Sequence, residues 1–398
     1  MRISTEPPVH LTYCMNVHPG ETWAQNMAAI RDMALAVRDR VCRDQPFGLG
    51  LRLSNAASLS LSEPSARNEF KTFLDEHSLY VFTVNAFPYG AFHDTRVKEQ
   101  VYLPDWRESA RRDYTIRVAD ILANLLPDSV SGSISTVPCS YRQWMRTRED
   151  TDAVVRNLMD TVIHLSNIER ETGKTVHVGL EPEPDCYLET TNDIIHFFET
   201  VLDDHGCRYV RERTGCDAVR AKNMIRRHLG VCFDACHLSL QFEDLAESLA
   251  RIGEHGIRLS KIHVSGAIRA VYSDDFSKQL SEFEDDVYLH QVKIRSASGD
   301  IVSYPDLSDA LSGASERDGT EWRVHCHVPL YFTGAGEIGS TAEELTEAFF
   351  RIAITLGVEH LEIETYTFNV LPERIRGKGL VASIADEYRW VLDRCAVS

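Results

Sequence analysis

Four stretches of the chain set an ionisable side chain inside or just after a short apolar run: Val178-Gly179-Leu180-Glu181-Pro182-Glu183, Phe233-Asp234-Ala235-Cys236-His237, Lys261-Ile262-His263-Val264-Ser265 and Leu361-Glu362-Ile363-Glu364-Thr365. One such carboxylate is ordinarily a helix cap or half of a surface ion pair, and one such histidine a hydrogen-bonded core residue. Several together are different, because buried carboxylates repel one another and lose hydration unless a cation compensates. Glu181, Asp234 and His263 are therefore expected to hold a divalent metal. Their mixed oxygen and nitrogen donors suit Zn, Mn, Fe or Co better than Ca. Two readings of the fourth ligand stay open. Glu364 is favoured, because its place before Thr365 mirrors that of Glu181 before Pro182. The alternative is an imidazole from His325 or His327, which stand two apart and share a face of one strand.

His237 lies three residues after Asp234. On a continuing strand the two would point to opposite faces. His237 reaches the same site only where the chain leaves strand geometry, and it then serves as a second-site metal ligand or a proton shuttle. Glu183 is expected to face solvent. Tyr13, Asn16, His18, Asn85, His93 and Lys98 are the substrate contacts expected from the amino-terminal half, with His290 and His325 added from the later part. The run Phe87-Pro88-Tyr89-Gly90-Ala91-Phe92 forms either a wall of the site or ordinary loop packing.

These residues need a scaffold that gathers several strand ends at one place. Short, continuously apolar, β-branched runs alternate with amphipathic helical patterns, the signature of a mostly parallel sheet buried on both faces. The strands are expected at Leu11 to Val17, Leu49 to Ser54, Tyr80 to Phe87, Ser131 to Pro138, His177 to Glu183, Val231 to His237, Leu259 to Gly266, Trp322 to Leu330 and His360 to Phe368. Helices are expected at Trp23 to Arg40, Arg107 to Leu126, Ala153 to Glu171, Asn192 to Leu202, Leu245 to His255 and Ala342 to Leu356. A doubly wound open sheet fits the alternation too, but no GxGxxG follows the first strand. The preferred fold is a (β/α)₈ TIM barrel spanning 1–398 as one domain. Its strand ends would converge on one mouth. Nine strands are one too many for that barrel, so either Trp322 to Leu330 or His360 to Phe368 is extra. The polar segment 267–321 reads as an insertion after the seventh strand, above the mouth, with a hairpin between 287 and 302.

The chain has 398 residues, 43% of them hydrophobic and 26% charged, enough for a large core in an ordinary globular protein. Its formal net charge of -18 and the lack of a basic run argue against nucleic acid or an anionic membrane as partner. The expected partner is a small molecule, with self-association into a homo-oligomer left open. Ten cysteines without a CxxC, no apolar leader after Met1 and no stretch of membrane-spanning length point to reduced thiols in the cytoplasm.

Glu181, Asp234, His263 and Glu364 look like the metal set of the xylose isomerase-like barrels, which include sugar isomerases, sugar epimerases and the endonuclease IV group. Phe233-Asp234-Ala235-Cys236-His237 is similar to the Asp-x-Cys-His stretch of endonuclease IV, and His290 stands in a region from which that group draws histidines. A closer likeness is to the EboE family of metabolite-traffic proteins. It is carried by Leu11-Thr12-Tyr13-Cys14-Met15-Asn16-Val17-His18-Pro19-Gly20-Glu21, Asn85-Ala86-Phe87-Pro88-Tyr89-Gly90, Val97-Lys98-Glu99-Gln100-Val101-Tyr102-Leu103-Pro104-Asp105-Trp106 and Glu362-Ile363-Glu364-Thr365-Tyr366-Thr367. The xylose isomerase-like resemblance implies a metal-dependent isomerase or epimerase acting on a sugar-like or secondary-metabolite precursor, and the EboE likeness implies a place in the processing or export of such a precursor. In that chemistry Glu181 and Glu364 exchange a proton with the substrate and His237 or Lys98 assists. A non-catalytic metabolite-binding protein and a metal-dependent hydrolase of the endonuclease IV type are the alternatives.

Overall fold

The structure is a computed structural model of the chain. It describes all residues except 92–97, 284–287, 314–319, 335 and 396–398. His93 lies outside the described residues.

Fourteen strands occur among the described residues: β1 Arg2–Thr5, β2 Pro8–Tyr13, β3 Phe47–Arg52, β4 Leu79–Asn85, β5 Gly132–Thr136, β6 Val176–Leu180, β7 Leu229–Asp234, β8 Arg258–Val264, β9 Ile268–Val271, β10 Val292–Arg295, β11 Ile301–Tyr304, β12 Glu321–Val324, β13 Gly339–Ser340 and β14 His360–Ile363. The larger sheet runs β1-β2-β14-β8-β7-β6-β5-β4-β3. All of its pairings are parallel except β1 with β2. A parallel bridge between Cys14 and Gly50 brings the end of β2 onto β3 and closes the ring. Gly50 is required there, since a Cβ at this position would come within 2.7 Å of the Tyr13 carbonyl oxygen. Eight parallel strands, β2 to β8 and β14, thus make a (β/α)₈ barrel. Their side chains are almost wholly buried, as expected where helices cover the outside and packed residues fill the inside.

The ninth expected strand has a different home. Glu321–Val324 lies in a second, antiparallel sheet of order β11-β10-β12-β9-β13, so His360–Ile363 is the eighth barrel strand. The segment after β8 accordingly extends past 321, because β13 at Gly339–Ser340 still pairs with β9. The hairpin within it is formed by β10 and β11, a few residues later than expected. The apolar residues of this sheet join those of the barrel in one core, with Trp322 packed on Tyr272 and Phe276.

The helices broadly follow the periodicity. The one expected at Ala153 starts earlier, at Arg148, because Thr147 and Asp150 form a capping box that satisfies the first free N–H groups. Helices also form at Pro64–Glu76, Ala218–His228 and Leu380–Cys395, outside the expected helical stretches. No described helix is long and apolar enough to cross a membrane.

Candidate metal centre

Glu181 follows β6 directly, Asp234 ends β7, His263 is next to last in β8, and Glu364 follows β14. Register aligns Asp234 with His263 and His263 with Glu362 across neighbouring strands. Because side chains alternate, Lys261 and His263 point the same way, as do Glu362 and Glu364. One ligand atom each from Glu181, Asp234, His263 and Glu364 falls within 4.8 Å of the others, and all four residues are buried. His263 Nδ1 is 2.9 Å from Glu181 Oε1, 3.1 Å from Glu364 Oε2 and 3.4 Å from Asp234 Oδ2. Its Nε2 lies 3.1 Å from Glu362 Oε2, a contact that fixes the ring with Nδ1 toward the three carboxylates. Glu362 is neutralised by an ion pair with fully buried Lys261, whose ammonium also donates to Thr83 Oγ1 at 3.0 Å.

A second group adjoins the first. β7 ends at Asp234 and the chain turns at once into the helix Ala235–Leu240, so Asp234 and His237 share one face. Asp234, His237 and His327 form one trio of converging donors, and Glu183, His237 and His325 another. In each of these histidines Nδ1 is engaged by a fixed acceptor: His237 with the Pro182 carbonyl at 2.9 Å, His325 with Gln291 Oε1 at 2.7 Å, His327 with the Glu364 carbonyl at 2.9 Å. Nδ1 therefore carries the proton and Nε2 presents a lone pair inward. His237 Nε2 and His325 Nε2 face each other at 3.1 Å. Two imidazole nitrogens on one tetrahedral Zn at about 2.0–2.1 Å stand roughly 3.3 Å apart.

These residues fit a divalent metal. Glu181 Oε2, Asp234 Oδ2 and His327 Nε2 are buried without a hydrogen bond. Such atoms are costly unless a ligand takes them. The electrostatics agree. Burial pushes the Glu181 carboxyl up to about 7 against the pull of His263, and burial with Glu181 nearby pushes Glu183 well above the usual range. Burial also acts upward on Asp234, but His237, His327 and His263 outweigh it and hold that carboxyl well below its usual value. Burial lowers His237 and His325, while on His263 the surrounding Cys232, Glu364 and Glu181 overcome burial and raise it. Glu362 is held down at about 2, where burial is outweighed by Lys261 and His263.

A cavity opens over the centre. Glu181, Glu364, His237, His325, Asn85 and Lys98 line it, as does Asn16. The Asn16 and Asn85 amides donate to Glu364 Oε1 at 2.8 and 3.2 Å. Lys98 Nζ is turned to the Tyr288 carbonyl at 2.8 Å and to Asp306. Tyr13 stands apart: its hydroxyl meets His18 Nε2 at 2.9 Å, and it lines a separate crevice with Ile363, Thr365 and Glu387. His290 is also outside the cavity lining and holds the His325 carbonyl through Nδ1 at 2.8 Å. Glu183, expected in solvent, is only 8% exposed; it accepts from the Tyr102 hydroxyl at 3.0 Å and lines the cavity. Glu364 and the His325/His327 pair are not alternatives in space, because the barrel and the second sheet bring both to the mouth.

Lys261, Glu362, Gln291 and Tyr102 take parts here that the expected site residues do not include. For the first two a signal existed, since each stands two residues before a ligand candidate on a strand. Gln291 and Tyr102 come from segments whose position depends on tertiary packing.

No family model matches the chain, and no curated protein matches it. Among solved structures it is similar to a zinc-bound IolI protein, at 12% identity and TM-score 0.47 over 97% of this chain and 98% of that one. It is also similar to a xylose isomerase domain protein from Planctomyces limnophilus, at 12% and 0.46 over 91% and 90%, and to a D-tagatose 3-epimerase-like protein, at 12% and 0.44 over 98% and 100%. Likenesses this distant bear on neither substrate nor reaction.

Proposed function

We propose that the barrel mouth is the active site of a divalent-metal-dependent isomerase or epimerase. Its substrate would be a small sugar-like molecule with a carbonyl beside a hydroxyl. The observation that carries this reading is the placement of Glu181 and Glu364 on strand ends flanking Asp234 and His263, with both carboxylates lining one cavity. Glu181, Asp234, His263 and Glu364 would hold the metal, with Zn, Mn, Fe or Co suited to the donor set. When bound, it would supply Lewis acidity that polarises a carbonyl and favours loss of the neighbouring carbon-bound proton. One of the two glutamates removes that proton and the other returns one. Asn16 and Asn85 hold Glu364 in orientation through its Oε1, and the Glu362–Lys261 pair fixes the ring of His263. A role in EboE-type metabolite processing rests on the four sequence segments that resemble that family.

A hydrolytic reading has its own support, since Asp234 belongs to both the Glu181 group and the His237–His327 group. A carboxylate shared by two neighbouring cations is the arrangement of two-metal hydrolases.

Elemental analysis of the purified protein, combined with ketose incubation in D₂O followed by NMR, tests these readings. The isomerase reading expects one tightly held metal per chain and deuterium at the carbon beside the carbonyl of a turned-over ketose. Two metals per chain, without deuterium uptake but with cleavage of an ester probe, would replace it with the hydrolase. No retained metal after incubation with each ion would overturn both and leave a binding protein.

A further inference from the structure

The upper part of the cavity is unlike its floor. Beside the carboxylates and imidazoles, Phe87, Val101, Tyr102, Tyr288, Leu289 and Tyr366 line the cavity. They come from four separate places in the fold: the end of β4, the turn Lys98–Tyr102, the chain before β10, and the chain after β14. The rings stand edge to face, with Tyr288 and Tyr366 centroids 5.4 Å apart at 77° and Phe87 and Tyr102 6.0 Å apart at 62°. Tyr366 also leans on His327, at 4.7 Å between centroids, so the aromatic wall begins where the imidazoles end. A bare polyol would meet mostly carbon there, although its hydroxyls require hydrogen-bond partners once they leave water.

Charge narrows the occupant further. Among the described residues that line the cavity, Lys98 is the sole cation, and Asp306 with the Tyr288 carbonyl already engages it. Glu362 is balanced by Lys261, and the other carboxylates of the lining and floor, Glu181, Glu183, Asp234 and Glu364, belong to the groups of converging donors. Among the described residues of the lining, no basic group is left over for a phosphate or carboxylate on the body of the substrate, where sites for such groups ordinarily supply arginine or lysine.

We propose that the substrate is an amphipathic molecule with a chelating pair of oxygens at one end and an uncharged aromatic or similarly flat apolar body at the other. The body would lie against Tyr288, Tyr366 and Phe87 while the oxygens face the metal centre. This rests on the metal reading above.

Calorimetric titration of the metal-loaded protein with three hydroxamates tests it, because all three share one metal-chelating head. Benzohydroxamate is expected to bind at least tenfold more tightly than acetohydroxamate, the order of gain for moving a phenyl-sized group out of water. Phosphoglycolohydroxamate should bind no better than acetohydroxamate. The benzo-to-aceto ratio should persist in Tyr288→Phe and collapse in Tyr288→Ala, with Leu289→Asn as the second variant should Tyr288→Ala fail to fold. Equal affinity for the first two probes, or an undiminished ratio in the wall variants, would overturn the apolar body while leaving the metal centre intact. Tenfold tighter binding of the phosphorylated probe would overturn its lack of charge. Failure of all three to bind would remove the metal reading and this proposal with it.

Discussion

Oδ1 of Asp234 accepts from the His237 N–H at 3.0 Å and from the Ser265 hydroxyl at 2.8 Å, while Oδ2 makes no hydrogen bond. The first oxygen caps a helix and the second faces the ligand cluster. Asp234→Asn separates these duties, because an amide oxygen still caps well but its NH₂ group cannot bind a metal. The variant should fold with its circular dichroism spectrum unchanged. Its metal affinity should fall by more than the ~100-fold typical of losing an outer-sphere partner, as read by elemental analysis after dialysis. Retained stoichiometric metal would sink the assignment. Of the ligand candidates, Glu181, Asp234 and His263 stood out in the sequence because an ionisable residue at the end of an apolar run is chemically out of place. Glu183 did not, since a residue past a proline looks like the start of a surface loop; its burial comes from Tyr102, which is 81 residues away.

At the scale of the element, β8 and β14 place Lys261 and Glu362 inside the barrel as a wholly buried ion pair directly beneath His263. Removing one partner leaves an uncompensated charge, whereas removing both does not. Lys261→Met should therefore cost about 3–5 kcal/mol in urea unfolding. Lys261→Met with Glu362→Gln should cost less than the sum of the two single changes. Additive costs would show that the pair does not act as a unit. Strands and most helices were readable from periodicity. The choice between Trp322 to Leu330 and His360 to Phe368 was not, because both are short apolar runs of the same character. Hydrogen-bonding partners decided it: β14 pairs in parallel with β2 and β8, and β12 in antiparallel fashion with β9 and β10.

Across the whole molecule, the carboxy-terminal helix Leu380–Cys395 closes the gap beside the last strand end. Its Glu387 accepts from the Thr365 hydroxyl at 2.6 Å and the Leu330 N–H at 3.1 Å, tying together segments that come after β12 and β14. Burial pushes this carboxyl from 4.5 up to about 7. A raised carboxyl means that the folded state holds the proton more tightly. Its contribution to stability is thus full below pH 4.5, declines as pH rises through the interval to about 7, and is level above it. That interval amounts to about 3 kcal/mol at about 1.4 kcal/mol per pH unit. Glu387→Gln keeps the accepting oxygen and removes the titration. Its stability relative to the unsubstituted protein should therefore rise by up to about 3 kcal/mol between acidic and mildly alkaline pH, measured by urea unfolding of both proteins across that range. A difference independent of pH would show that Glu387 ionises normally.

The sequence by itself determined what is local: alternating apolar strands and amphipathic helices, hence a parallel barrel, and polar side chains at strand ends, hence a mouth that gathers carboxylates and imidazoles. These are consequences of side-chain periodicity and of the cost of burying charge, both of which operate over a few residues. Only the tertiary structure decided which strand closed the ring, and that Glu364 and the His325/His327 pair meet at one place. It also decided that Tyr13 and His290 lie outside the cavity lining while Glu183 lines it. Those outcomes depend on contacts between segments up to some hundreds of residues apart, such as the 348 separating Asn16 from Glu364. Which segments meet is set by closure of the barrel and by the second sheet laid beside its mouth.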